Sequence, residues 1–170
     1  MSSDKQNDDN QSLLHFFMLS EGQQFSTMAE KITVVFRRSR DENNKKIYDS
    51  ILKMRNLREL TDIQVEMLSL RQRMLEDTHV LLDKLVELRK QYRILKGNAY
   101  EGIVNNIQLR MKTTGEKEAI VEGSSEIVET RNKIDILDGQ TSYYNESIRT
   151  VDNIIYGIKT RLDVERLLGV

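Results

Sequence analysis

The chain has no cysteine, no proline and no tryptophan among its 170 residues, and only eight glycines. Without cysteine there is no disulfide, no thiolate ligand for zinc or iron–sulfur clusters and no thiol nucleophile, and an intracellular setting is the simplest expectation. Average usage of about 5% would give roughly eight prolines in this length, so their absence removes the residue that most reliably stops a helix. Together with 31% charged residues, that bias points to an all-α fold of long helices and excludes an all-β one. Long apolar runs are missing too. The stretch at 13–19 (LLHFFML) falls far short of the roughly 20 residues a membrane span needs, and the opening MSSDKQNDDNQS is polar and net acidic, unlike a secretory leader. A soluble, cytoplasmic protein with no membrane contact is expected.

Catalytic motifs are equally scarce. Only two histidines occur, His15 and His79, far apart and without an HExxH arrangement, and no glycine-rich phosphate cradle is present. Carboxylate pairs such as Asp62/Glu66 and Glu76/Asp77 read as the solvated face of a helix. The expectation is therefore no catalytic residue, no metal site, no cofactor and no enzymatic activity.

The polar segment 1–11 has no apolar periodicity and reads as a disordered acidic tail. Short N-terminal helices are expected over 12–43: one at 13–19 capped by Ser12, and one from Ser26 to Arg40 with Met28, Ile32, Val35 and Phe36 on one face. Asp41-Glu42-Asn43-Asn44 reads as punctuation. A single helical domain then fills 44–170, with a long helix over 45–96, a short one over 100–112 and a terminal one over 125–168. A 52-residue helix would be about 78 Å long against a radius of gyration near 15 Å for a compact chain this size, so it must break or be buried against other chains.

Two apolar rows run along the long helix. One carries Leu60, Ile63, Met67, Leu70, Met74, Asp77, Leu81, Lys84, Leu88, Gln91 and Leu95; its neighbour carries Val65, Leu68, Leu75, Leu82 and Val86. The terminal helix has heptad positions Ile127, Thr130, Ile134, Leu137, Thr141, Tyr144, Ile148, Val151, Ile155, Ile158, Leu162 and Glu165, a coiled-coil or bundle signal. Its C-terminal half, Ile148, Val151, Ile155, Ile158 and Leu162, is the expected interface of a homo-oligomer. Gly139 and Gly157 suggest a close approach or a bend.

Charge is segregated although the chain's net charge is only −1. Residues 37–58 hold eight basic side chains (Arg37, Arg38, Arg40, Lys45, Lys46, Lys53, Arg55, Arg58) against three acidic, net +5; residues 84–96 hold five (Lys84, Arg89, Lys90, Arg93, Lys96) against Glu87, net +4. Between them, 59–83 has six acidic and two basic residues, net −4, and 113–170 has eleven and seven, also −4. Arg89, Arg93 and Lys96 share one helical face with Lys90 and Tyr92 beside it. Such a row can follow a phosphate backbone while an exposed Tyr92 stacks on a base, and repetition around an oligomer would join the islands into one positive band. The competing reading is a solvated face whose cations complement the helix C-terminus.

From about Leu88 to its end the chain resembles the recombination mediator family of T-even-type bacteriophages, the UvsY proteins. The likeness rests on the basic, aromatic-containing stretch Leu88 to Gly97, then Lys117-Glu118-Ala119-Ile120-Val121-Glu122-Gly123-Ser124-Ser125-Glu126-Ile127-Val128, and a terminal helix closing with Tyr156-Gly157-Ile158-Lys159 and Asp163 through Gly169. The resemblance implies an all-helical, ring-like homo-oligomer that binds single-stranded DNA and helps a recombinase displace a single-strand-binding protein, inside an infected bacterial host. It places the DNA-contacting basic step on Arg89 and Lys90. The family's paired basic residues stand one position apart, and here that partner position is Gln91. The alternative function is a helical coiled-coil scaffold or interaction factor, such as a phage inhibitor of a host protein, without nucleic-acid binding.

Overall fold

Four α-helices and one 3-10 turn make up the secondary structure of the computed structural model, which describes residues 25–106, 109 and 112–169, and no strand occurs among them. Helix α1 spans Phe25–Lys53, the 3-10 turn Leu57–Glu59, α2 Leu60–Asn105, α3 Thr114–Glu122 and α4 Ser125–Leu168. The fold is all-α. The expected tail at 1–11 and the apolar helix at 13–19, with His15, lie outside the described residues.

Helices α2 and α4, 46 and 44 residues long, lie antiparallel. As numbers rise on α2 they fall on α4: Arg71 meets Asp152, Asp77 meets Tyr144, and Arg89 meets Asp138. Helix α1 runs beside them parallel to α4, with Arg40 at Gln140, Asn44 at Tyr143 and Met54 at Arg161. The main core joins Leu60, Ile63, Met67, Leu70, Met74, Leu81 and Leu85 of α2 to Leu137, Tyr144, Ile148, Val151, Ile154 and Ile158 of α4 and to Ile32, Phe36 and Ile47 of α1. Each fully buried aliphatic side chain contributes about 2 kcal/mol. At the far end α3 closes a smaller cluster of Ile103, Val121 and Ile127, bordered by Tyr92, Leu95 and Tyr100.

The buried row on α2 follows the expected one to Met74 and again at Leu81, but takes Thr78 and Leu85 in place of Asp77 and Lys84. An α-helix has 3.6 residues per turn, so a strict seven-residue row drifts by about 20° per heptad and the neighbouring position takes over. The interruption expected at 41–44 is not there. Asn43 is buried and accepts a bond from Arg73 Nη2 at 3.0 Å, and Asn44 Oδ1 accepts from Tyr143 at 3.0 Å. Those distant partners occupy the side chains that would otherwise compete with the helix backbone.

The chain breaks instead at Met54–Asn56. There Asn56 Oδ1 accepts from the Arg58 amide at 3.2 Å, a turn-forming bond, and Arg161 Nη1 donates to the Met54 carbonyl at 2.5 Å beyond the end of α1. The expected 45–96 helix is thus divided between α1 and α2. Past Gly97 the backbone stays helical to Asn105, so the first part of the expected 100–112 helix belongs to α2. Thr113 opens α3: its hydroxyl accepts from the Glu116 amide at 3.3 Å while the Glu116 carboxylate accepts from the Thr113 amide at 2.8 Å, a capping box. Those bonds, the backbone one first, hold the Glu116 carboxyl below its usual range. A Cβ added at Gly139 would meet nothing within 4 Å, so no close approach explains that glycine, whereas at Gly157 it would touch Met54 Cε at 3.7 Å.

The residues expected to join copies through α4 pack inside their own chain. Val151 and Ile158 are fully buried, Ile148 nearly so, and Ile155 and Leu162 are half-buried against the same core. The heptad row is satisfied within one chain because α1 turns back and lies along α2 and α4. Val151→Asp would leave an unpaired carboxylate in that core. We expect loss of the helical circular dichroism signal in the single chain, and a helical, folded V151D chain would contradict the packing.

One polar chain crosses the core. Tyr144 Oη donates to Asp77 Oδ2 at 3.1 Å and lies 3.2 Å from Ser39 Oγ, which is left to donate to it. Burial pushes the Tyr144 phenol up to about 12 and raises the Asp77 carboxyl above its ordinary value, against the opposing effect of the Tyr144 bond. A carboxyl raised by folding binds protons more tightly in the folded state, so this group lowers stability as pH rises through its folded pKa. Asp77→Asn is expected to raise the thermal midpoint at neutral pH, with the advantage shrinking as the buffer is acidified toward ordinary carboxylate values. An Asp77→Asn chain less stable than the parent at pH 7 would overturn this.

Candidate nucleic-acid interface

The basic stretch at 88–97 forms part of the last third of α2, where α3 and the start of α4 pack against it. Helix α3 ends in Glu122, a carboxylate at the negative end of a helix dipole, which is unfavourable by roughly 0.3–1 kcal/mol unless cations offset it. Two do. Lys96 Nζ lies 2.5 Å from Glu122 Oε1, and Arg131 of α4 pairs with Glu122 Oε2. Tyr92 sits between them. Its hydroxyl donates to Glu122 at 3.2 Å and accepts from Arg131 Nη2 at 2.8 Å, while its ring lies 5.8 Å from Lys96 Nζ and 5.7 Å from Arg131 Cζ. One carboxylate thus draws together side chains from three helices, and one positive charge is left over.

One heptad earlier than Lys96, Arg89 Nη2 contacts both oxygens of Asp138 on α4 at 2.9 and 2.8 Å. Lys90 and Arg93 are exposed and have no carboxylate partner among the described residues; Arg93 Nε leans back onto the Arg89 carbonyl at 3.3 Å. Of the expected contact residues on α2, then, Arg89, Tyr92 and Lys96 are engaged within the chain, and Lys90 and Arg93 face solvent.

The cluster on α1 divides in the same way. Arg40 turns inward, donating to Gln140 Oε1 at 2.7 Å with its guanidinium 5.1 Å from the Tyr143 ring. Arg38 pairs with Glu42 at 2.9 Å. Arg37, Lys45 and Lys46 are exposed. Since Asn43 meets Arg73, this cluster lies level with the middle of α2, and the 17 residues from Arg73 to Lys90 put about 26 Å between the two islands. One chain does not merge them.

The sequence reading missed Glu122, Arg131 and Asp138, all outside the basic stretches. The signal for Glu122 was present, an acidic residue just before Gly123-Ser124, the position where a helix end calls for counter-cations. Elsewhere, an open groove between α1 and α4 is lined by Glu30, Thr33, Val34, Asn132, Asp135 and Ile136. Among the described residues no group of His, Asp or Glu is placed to hold a metal ion, and no helix is long and apolar enough to cross a membrane. No protein-family model matches the chain, and neither a curated protein nor a solved structure matches it.

Glu122→Gln removes the anion shared by Lys96 and Arg131. Because the pairs are partly exposed, the expected loss is about 1 kcal/mol, read as a lower urea midpoint at unchanged slope. An unaltered midpoint would mean that the three-helix cluster contributes nothing to holding α3.

Proposed function

We propose that this protein is a non-enzymatic, homo-oligomeric factor that binds single-stranded DNA along its basic surfaces and assists recombination, acting with a recombinase and a single-strand-binding protein in the cytoplasm of an infected bacterium. The observation that carries the reading is the pair Lys90 and Arg93, three residues apart on α2, exposed and free of carboxylate partners among the described residues. Beside them the Lys96–Glu122–Arg131 cluster keeps a surplus positive charge. The resemblance of residues 88–169 to phage recombination mediators points the same way. Arg37, Lys45 and Lys46 supply a second positive surface, and because it lies about 26 Å from the first, a continuous track requires several copies, as in a ring-like assembly.

A second reading, a helical scaffold that binds other proteins and no nucleic acid, is favoured by the ion pairs that engage Arg89 and Lys96 within the chain. Titration of a labelled oligonucleotide at several salt concentrations separates the two. For the first reading, log affinity falls with log salt, and Lys90→Ala with Arg93→Ala weakens binding and reduces the slope by about 1.4, at roughly 0.7 per lost phosphate contact. Arg89→Ala has a smaller effect, since Asp138 already holds that guanidinium. The absence of any salt-sensitive complex with the parent chain would leave the scaffold reading.

A further inference from the structure

Helix α2 carries two apolar rows side by side. One is buried in the core, and the other carries Val65, Leu68, Leu75, Leu82 and Val86 at heptad spacing, flanking the buried one. Val65, Leu68, Leu82 and Val86 are 43–66% exposed, and only Leu75 is packed partly against the core. Gln72 and His79 complete the row, both exposed. A row that continues through three heptads on a solvent face is the pattern of a helix–helix seam.

We propose that this stripe is where a second copy of the chain docks, α2 against α2, in antiparallel orientation about a twofold axis near Leu75. The proposal rests on the homo-oligomeric part of the functional reading and assigns it a surface. Charge selects both occupant and direction. Residues 59–83 of α2 carry net −4 and residues 84–96 net +4; Asp138 and Glu122 offset part of the latter, but Lys90 and Arg93 keep it basic, so an antiparallel copy sets each acidic half beside a basic half, whereas a parallel one sets like against like. In the antiparallel arrangement the exposed Asp62 comes opposite Lys90 of the second copy. The stripe is self-complementary, as a twofold interface must be.

From Val65 to Val86 the stripe runs about 32 Å along a helix about 10 Å across, roughly 320 Å² of projected face. That is short of the roughly 800 Å² per partner of a standard interface, so association is expected to be weak and is measured at high protein concentration. Sedimentation equilibrium of the full chain without nucleic acid is expected to show mass rising toward two chains. Leu68→Gln with Val86→Gln should return it to one chain while the helical signal persists. Lys90→Glu alone and Asp62→Lys alone should each weaken self-association at least threefold, and the two together should restore it, because only opposed copies bring these positions together.

A parent chain that stays single at that concentration overturns the proposal and leaves the stripe to residues 13–19 or to a different protein. Self-association that ignores the stripe variants, or a charge swap that fails to restore it, overturns it as well. Because no DNA is present, a failure here is distinct from a failure of oligonucleotide binding.

Discussion

The antiparallel apolar seam between α2 and α4 is the constraint on which the remaining structure depends. Two helices of more than 40 residues bury one stripe each against the other, but each stripe is wider than a two-stranded seam can cover. Helix α1 covers the excess over the N-terminal part of α2, contributing Ile32, Phe36 and Ile47. Helix α3 covers it at the opposite end with Val121. The seam fixes which level of each helix meets which, and so brings Asp138 to Arg89 and Glu122 to Lys96.

Much of this architecture was legible in the residues. The absence of proline and the heptad rows gave an all-α chain, and the terminal helix expected over 125–168 coincides with α4. What was not legible has a common cause, the action of distant partners on local preferences. Asp41 to Asn44 has the composition of a turn, yet Arg73 and Tyr143 supply the bonds that keep Asn43 and Asn44 helical. Thr113-Thr114-Gly115 fits a stop as readily as a start until Glu116 is seen to close the capping box. The row through Ile148, Val151 and Ile158 has the same spacing whether its partner is another copy or α1 and α2 of the same chain. Periodicity reports that a face is covered, and it is silent on what covers it.

The candidate site was legible to a lesser degree, for a reason rooted in electrostatics. A run of basic residues specifies charge, but the field it projects depends on anions that folding brings alongside. Arg89 and Lys96 are chemically indistinguishable from Lys90 and Arg93 in a string of letters. In space, Asp138 and Glu122 divide them into side chains that hold helices together and side chains that project into solvent. The nearly neutral total thus conceals a molecule whose charge is sorted by height along one helix.

The two clusters of buried side chains are unequal in size, sixteen in the main core against three beneath α3. Local opening free energy scales with the apolar surface that must be exposed. The backbone amides of α3 and of α2 beyond Leu95 therefore exchange their hydrogens with deuterated solvent sooner than those around Met74 and Val151. The molecule opens first from the end that bears Glu122, ahead of the core clasped by α1.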